Sequence, residues 1–128
     1  MGLNTFCEEG YRIGGCETPV YRNNRGETHN CQIGVFLCQG SEAGAAFLDR
    51  KPYLPEDWAT DMERRHKAGV PEEVEFATKP KLARQMLERT FNEGVPRRWV
   101  TGDSVYGSSR SLRQWLEGQK QPFVLAVR

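Results

Sequence analysis

The sequence has no long apolar run and almost no net charge. Over 128 residues, the hydrophobic types make up 38% and the mean hydropathy is −0.69. No stretch approaches the ~18 consecutive apolar residues that a membrane helix needs, and the first ten residues lack the layout of a secretory signal. Lysine and arginine number 18 against 17 for aspartate and glutamate, so no overall field attracts nucleic acid or an anionic membrane. We expect one cytoplasmic domain with no membrane partner.

Histidine is scarce, and the common catalytic motifs are missing. Neither His29 nor His66 has a nucleophile beside it, and there is no P-loop, G-x-S-x-G or H-E-x-x-H. No C-x-x-C pair occurs among the cysteines Cys7, Cys16, Cys31 and Cys38. That spacing favours reduced thiols in a cytosolic protein. A small zinc domain is the weakest alternative, and its ligands would be Cys7, Cys16, His29 and Cys31.

Apolar and turn-forming residues alternate in a way that predicts a mixed α/β domain. Residues 1–29 are rich in glycine, proline and asparagine, so we expect them to be irregular apart from a short ribbon at 19–22. Residues 31–39 are apolar and β-branched, and a returning strand at 45–50 completes an antiparallel hairpin. Residues 55–69 are expected to form one or two short helices, with Asp61 capping the second.

The second half predicts helix, strand, helix and strand. Thr78 is expected to cap the first helix and Gly94 to end it. One apolar stripe should follow this helix: Leu82, Ala83, Met86, Leu87, Thr90 and Phe91. Ser108 or Ser109 is expected to cap the second helix, which Gly118 closes.

The last three elements, a strand at 98–101, this second helix and a strand at 123–127, should form a right-handed parallel β-α-β unit. The unbroken apolar run at 123–127 is typical of a strand covered on both faces. Ligands gather beyond the carboxyl ends of parallel strands, which singles out Asp103 after the first of them. Because aspartate also favours turns and helix starts, a purely structural role for Asp103 is the competing interpretation.

Several collinear blocks carry a family resemblance. W-V-T-G-D-S-V-Y-G at 99–107 resembles the block around the second acidic residue of DDE transposases in the IS701-like group of insertion sequences. Similar blocks follow the same order: N-C-Q-I-G-V-F at 30–36, L-D-R-K-P-Y-L-P-E-D-W at 48–58, G-V-P-E-E-V-E-F-A-T-K-P at 69–80 and P-F-V-L-A-V at 122–127. Together the blocks cover about residues 26–128.

The resemblance implies an incomplete RNase H-like α/β fold: a mixed sheet whose antiparallel hairpin precedes a parallel β-α-β unit. Residues 1–29 would be a degraded opening segment, and 30–128 a partial catalytic domain. The family implies three carboxylates that hold two Mg²⁺ or Mn²⁺ ions and act on DNA at transposon ends. Asp103 would be the catalytic metal ligand, Gly102 would allow a sharp turn, and Tyr106 and Gly107 would shape the adjacent loop.

The chain departs from this pattern at the other two carboxylates. Leu3-Asn4 stands where the family has its first acidic pair, and Glu8 and Glu9 stand where it has lysines. The third, a glutamate on a later helix, would lie past Arg128. We therefore expect a transposase fragment that is inactive alone. Glu8 and Glu9 are weak substitutes, since adjacent strand residues face opposite sides. A degraded opening strand would also leave an unpaired sheet edge and invite self-association.

A non-catalytic DNA-binding or interaction module on the same scaffold is the alternative function. Its working surface would be basic: Arg64, Arg65, Lys67, Lys79, Lys81, Arg84, Arg97 and Arg98. The run at 64–67 also has an ordinary electrostatic explanation, because cations stabilise the last turn of a helix.

Overall fold

The computed structural model describes residues 2–9, 20–22, 28–54, 56–67 and 69–128. For residues 2–9, 20–22, 28–33, 57 and 58, only the backbone is described. The elements, in chain order, are β1 (Gly2–Glu9), β2 (Val20–Arg22), β3 (Thr28–Ser41), β4 (Gly44–Tyr53), α1 (Glu56–Thr60), α2 (Met62–Lys67), α3 (Lys79–Asn92), β5 (Val100–Gly102), α4 (Ser104–Gly107), α5 (Arg110–Gly118) and β6 (Phe123–Leu125).

The six strands form one mixed sheet with β1 at its centre. On one side, β1 pairs antiparallel with β3, which pairs antiparallel with β4 and, at its start, with β2. On the other side, β1 pairs parallel with β5, which pairs parallel with β6. The run β4-β3-β1-β5-β6 therefore joins an antiparallel meander to parallel strands. This is the predicted RNase H-like arrangement, and the fold class is confirmed.

The prediction of irregular structure in residues 1–29 is wrong for Gly2–Glu9. This segment is the central strand, because its backbone finds partners on both sides, in β3 and in β5. The predicted ribbon at 19–22 is present as β2, residues Val20–Arg22. Residues 10–19 and 23–27 lie outside the described residues, and the domain division at residue 30 stays a prediction. β1 pairs with β3 along its whole length but with β5 only at Gly2 and Leu3.

Local signals placed the hairpin and the helices correctly. The turn between β3 and β4 and the two short helices α1 and α2 fall where predicted. Asp61 Oδ1 accepts the Arg64 N–H at 3.1 Å, and Thr78 Oγ1 accepts the Lys81 N–H at 3.3 Å. Ser109 Oγ likewise accepts the Leu112 N–H at 3.3 Å. Gly94 has a φ of +73°, the left-handed conformation expected where α3 ends.

The core lies on one face of the sheet. The apolar stripe of α3 is buried except for Phe91, which is half-buried, and it packs on β3 and β4. Val35 and Leu37 of β3 and Val100 of β5 meet it, together with side chains from α4 and α5. None of the described helices is both long and apolar enough to span a membrane.

The prediction about the final strand is wrong. The final strand is only Phe123–Leu125, and it is covered on one face: Val124 is 63% exposed and Val127 is 68% exposed. An unbroken apolar run does not tell which face a neighbour will cover. Helix α5 ends at Gly118, as predicted. Lys120, two residues further on, has a left-handed φ of +52°.

Candidate functional site

Asp103 follows the carboxyl end of β5, an interior strand of the sheet. Its side chain is exposed, and Oδ1 accepts the Val105 N–H at 2.9 Å, which makes Asp103 the N-cap of α4. Its carbonyl oxygen also accepts the Gly107 N–H at 3.0 Å. Among the described residues, the second carboxylate oxygen, Oδ2, has no hydrogen-bond partner. The structural role is therefore real, and it occupies one of the two oxygens.

The register of β1 and β5 decides which residue is the neighbour of Asp103. Leu3 pairs with Gly102, so Asn4 comes level with Asp103 on the adjacent parallel strand. Neighbouring strands lie about 4.8 Å apart. Glu8 is four residues further along β1, about 13 Å at the usual strand rise, and Glu9 is one residue beyond it. The position beside Asp103 therefore carries an amide, and neither glutamate lies at that level.

The residues around Asp103 do not fit a two-metal centre. Such a centre holds two cations about 4 Å apart on several carboxylates. Within the part of the chain that the structure describes, no group of three His, Cys, Asp or Glu side chains could hold a metal ion. One exposed carboxylate with an oxygen already in a cap is too small a donor set. No catalytic step through a metal follows from these residues, and the role of Asp103 as a metal ligand stays a prediction.

The residues flanking Asp103 fasten α4 to the sheet. Tyr106 is fully buried in the core. A Cβ on Gly107 would lie 1.7 Å from the carbonyl oxygen of Ala126, so only glycine fits against the chain after β6. A Cβ on Gly102 would lie 3.0 Å from Leu125 Cδ2. Because the φ of Gly102 is not in the left-handed region, the predicted sharp turn is not seen, and this glycine instead allows close packing against Leu125.

Arg65 is not part of a DNA-binding surface, contrary to the alternative hypothesis. Its side chain is 7% exposed. The guanidinium donates to the carbonyl oxygens of Ala59 at 3.1 Å and Pro71 at 3.0 Å, and also to that of Val74. It therefore ties α1 and α2 to the loop that leads into α3. The role of Arg65 could not be predicted from the run of four basic residues, because the sequence does not show which of the four side chains is buried.

Most other members of the predicted basic surface have partners within the chain. Lys67 pairs with Glu63 at 2.9 Å, and Arg84 pairs with Glu88 at 3.1 Å. Lys79 lies over the Tyr53 ring at 5.2 Å. Arg97 lies 3.6 Å from the Phe91 ring centre and donates to Gln121 Oε1 at 2.8 Å. Among the described residues, the exposed side chains of Lys81 and Arg98 have no such partner. The predicted basic residues therefore fall into a group with partners within the chain and a smaller group without them, and they do not act as one surface.

The zinc alternative falls largely outside the described side chains. Cys16 lies outside the described residues, and Cys7, His29 and Cys31 lie on strands described by backbone alone. Cys38 is half-buried on β3, and His66 is exposed.

A cavity of about 780 Å³ opens beside the start of β5, and the sequence did not point to it. Its lining combines the end of β3 with the segment entering β5: Cys38, Gln39, Ala45, Arg98, Trp99 and Thr101, among others. Gln39 Nε2 donates to the Pro96 carbonyl oxygen at 2.7 Å and joins the two walls. A sign of it was present in the sequence, because Trp99 and Thr101 flank Val100. In a strand, two such residues share the face opposite Val100, which is buried.

The strand order and the position of Asp103 define an RNase H-like domain. A family model described as DDE superfamily endonuclease matches residues 15–128, and the chain belongs to this family. Enzymes of this superfamily act on DNA and generally use divalent metal ions. Comparison with curated proteins and with solved structures gave no match.

Proposed function

We propose that this chain is a transposase-like nuclease domain of the IS701-like group that does not cleave DNA by itself. The observation that carries the proposal is the register of β1 with β5, which sets Asn4 level with Asp103. The family needs a carboxylate beside the second acidic residue. An amide oxygen can contact a cation, but it brings no charge to balance one.

The missing charge has a direct chemical consequence. Phosphodiester cleavage of this type depends on cations that steady both the attacking and the leaving oxygen. A lone carboxylate cannot hold two hard cations against hydration. DNA and Mg²⁺ or Mn²⁺ are accordingly the substrate class and cofactors that we propose for an intact relative, with Asp103 as the ligand that this chain retains.

A plasmid-nicking assay tests the proposal. The protein is incubated with supercoiled DNA and Mg²⁺ or Mn²⁺, beside the Asp103→Asn variant. Asparagine caps helices about as well as aspartate, so this variant loses the charge and keeps the start of α4. We expect no nicking above buffer from either protein. Metal-dependent nicking by the wild-type chain that Asp103→Asn abolishes would overturn the proposal.

A non-catalytic DNA-binding module is the second candidate function. One observation favours it: the cavity lining includes Arg97 and Arg98 and no carboxylate. Phosphate contacts release counterions, so binding to DNA should weaken steeply as salt rises. Salt-dependent retention on DNA supports this candidate, and the absence of retention at low salt removes it.

A further inference from the structure

Trp99 and Thr101 flank Val100 of β5, and both are exposed. Asp103 follows two residues after Thr101 and is also exposed. Val100, in contrast, is fully buried against the core. This is the two-residue alternation of a strand with one covered face. Trp99 precedes Asp103 by four residues, which is about 13 Å along an extended chain.

A glycine explains why the cavity exists. Cys38 of β3 and Thr101 of β5 both line it, and both pair with Gly2 of the intervening strand β1. The middle strand therefore has no side chain at this level. At about 780 Å³ the cavity falls within the roughly 300–1,000 Å³ typical of small-molecule and cofactor sites.

Two consecutive residues that line the cavity, Arg98 and Trp99, have exposed side chains. The Trp99 side chain is 53% exposed, which is a large unburied area for an indole. The exposed guanidinium of Arg98 has no ion-pair or hydrogen-bond partner within the described part of the chain. Arg97, in contrast, is held by Phe91 and Gln121. The lining therefore contains an unpaired cation and an exposed aromatic ring but no acidic residue, a combination that complements a base and its phosphate.

We infer that this cavity binds an unstacked base of single-stranded DNA, with Trp99 as the stacking surface and Arg98 at the adjoining phosphate. The inference rests on the proposed action on DNA and adds a preference for unpaired strands. A base fits because every base offers a π-face to the indole, so the site requires no particular sequence. A base pair inside a duplex is already stacked and cannot enter.

Binding of a short labelled oligothymidine and of a duplex of the same length, at low ionic strength, tests this inference. We expect Trp99→Ala to weaken single-strand binding about tenfold and to leave duplex binding within about twofold. Trp99→Phe should restore most of the affinity, since phenylalanine keeps a stacking face. Arg98→Gln should reduce the salt dependence of single-strand binding by about one phosphate contact, a change in slope of ~0.7.

Phe47→Ala is the matched control, because Phe47 is 69% exposed on β4 and does not line the cavity. It should bind the oligothymidine as the wild type does. Thermal unfolding of the Trp99 variants checks that each is folded. The inference is overturned if Trp99→Ala binds the oligothymidine normally, or loses single strand and duplex equally. Competition by polyglutamate as strong as by oligothymidine would assign the cavity to an acidic peptide instead.

The result also separates this inference from the proposed function. If the wild-type chain binds neither oligonucleotide at low salt, the inference and the DNA-binding candidate both fall. If duplex binding persists and Trp99→Ala has no effect on single strands, only the inference falls.

Discussion

Asn4 carries an amide at the position where the proposed metal site would need a carboxylate. The two side chains differ in that one functional group. Asn4→Asp would put two carboxylates on adjacent strands, about 4.8 Å apart at the backbone. Their repulsion should lower the free energy of unfolding by about 1 kcal/mol without metal. Mn²⁺ should then raise the melting temperature of Asn4→Asp and leave that of the wild type unchanged.

The Mn²⁺ effect has an internal control. The double variant Asn4→Asp/Asp103→Asn has one carboxylate again, so its melting temperature should not respond to Mn²⁺. An equal response from the double variant would show that Mn²⁺ binds elsewhere. No response from Asn4→Asp would contradict the interpretation that these two positions form one site.

Arg65 shows how one inward-facing cation can organise several segments. Arg65→Lys keeps the charge, but an ammonium cannot reproduce a planar fork that reaches the carbonyl oxygens of Ala59, Pro71 and Val74. We expect a loss of about 2–4 kcal/mol in the free energy of unfolding, measured by urea denaturation. Arg64→Lys, next to it and only half-buried, should change stability by less than ~0.5 kcal/mol. Equal losses in the two variants would contradict the assigned role.

At the scale of elements, α4 links the candidate site to the edge of the sheet. Asp103 caps this four-residue helix, and Gly107 ends it against the backbone of Ala126. Because a helix this short has little stability of its own, its position depends on these contacts and on buried Tyr106. A change in the packing of α4 should therefore displace Asp103 as well.

Gly107→Ala tests that dependence. The added Cβ would overlap the Ala126 carbonyl oxygen, so α4 or the segment after β6 must move, at a cost of about 3 kcal/mol or more. Gly118→Ala is the matched control, since nothing lies within 4 Å of the added Cβ and alanine favours a helix. Thermal unfolding should show a large decrease for the first variant and no decrease for the second. Comparable melting temperatures would mean that α4 is not held as described.

On the scale of the whole molecule, the sheet has an apolar edge at β6. Among the described strands, β6 pairs only with β5, and Val124 and Val127 are both largely exposed. We therefore still expect self-association, but through the exposed edge at β6 and not through a degraded opening strand. Unpaired strand edges with apolar side chains are templates for pairing between copies.

Sedimentation velocity over a range of concentrations tests this expectation. The wild-type chain should form dimers or larger species, and Val124→Lys should shift the distribution toward monomer, because an edge lysine opposes pairing. Met62→Lys changes an exposed apolar residue on α2, remote in sequence from the sheet edge, and should leave the distribution unchanged. A wild-type monomer at every concentration would contradict the prediction.

Local chemistry in the sequence was enough for the hairpin, the stripe of α3 and the caps at Asp61 and Thr78, and it narrowed the cap of α5 to Ser108 or Ser109. Each depends on residues within one or two turns of chain, so periodicity and capping preferences determine it. The same holds for Asp103 as the candidate residue, because it follows a predicted parallel strand.

Tertiary structure alone decided the features that depend on distant partners. Gly2–Glu9 is a strand because β3 and β5 supply its hydrogen bonds from far along the chain, and only their register sets Asn4 beside Asp103. Likewise, a basic or apolar side chain is inward or outward according to what packs on it, which separates Arg65 from Arg64 and leaves Val124 exposed. The cavity at Trp99 has the same origin, since it opens where three strands meet over a glycine. A local sequence pattern sets the tendency of a segment to form a helix, a strand or a turn. Which strands pair, which side chains are buried and where a cavity forms depend on contacts between residues far apart in the chain.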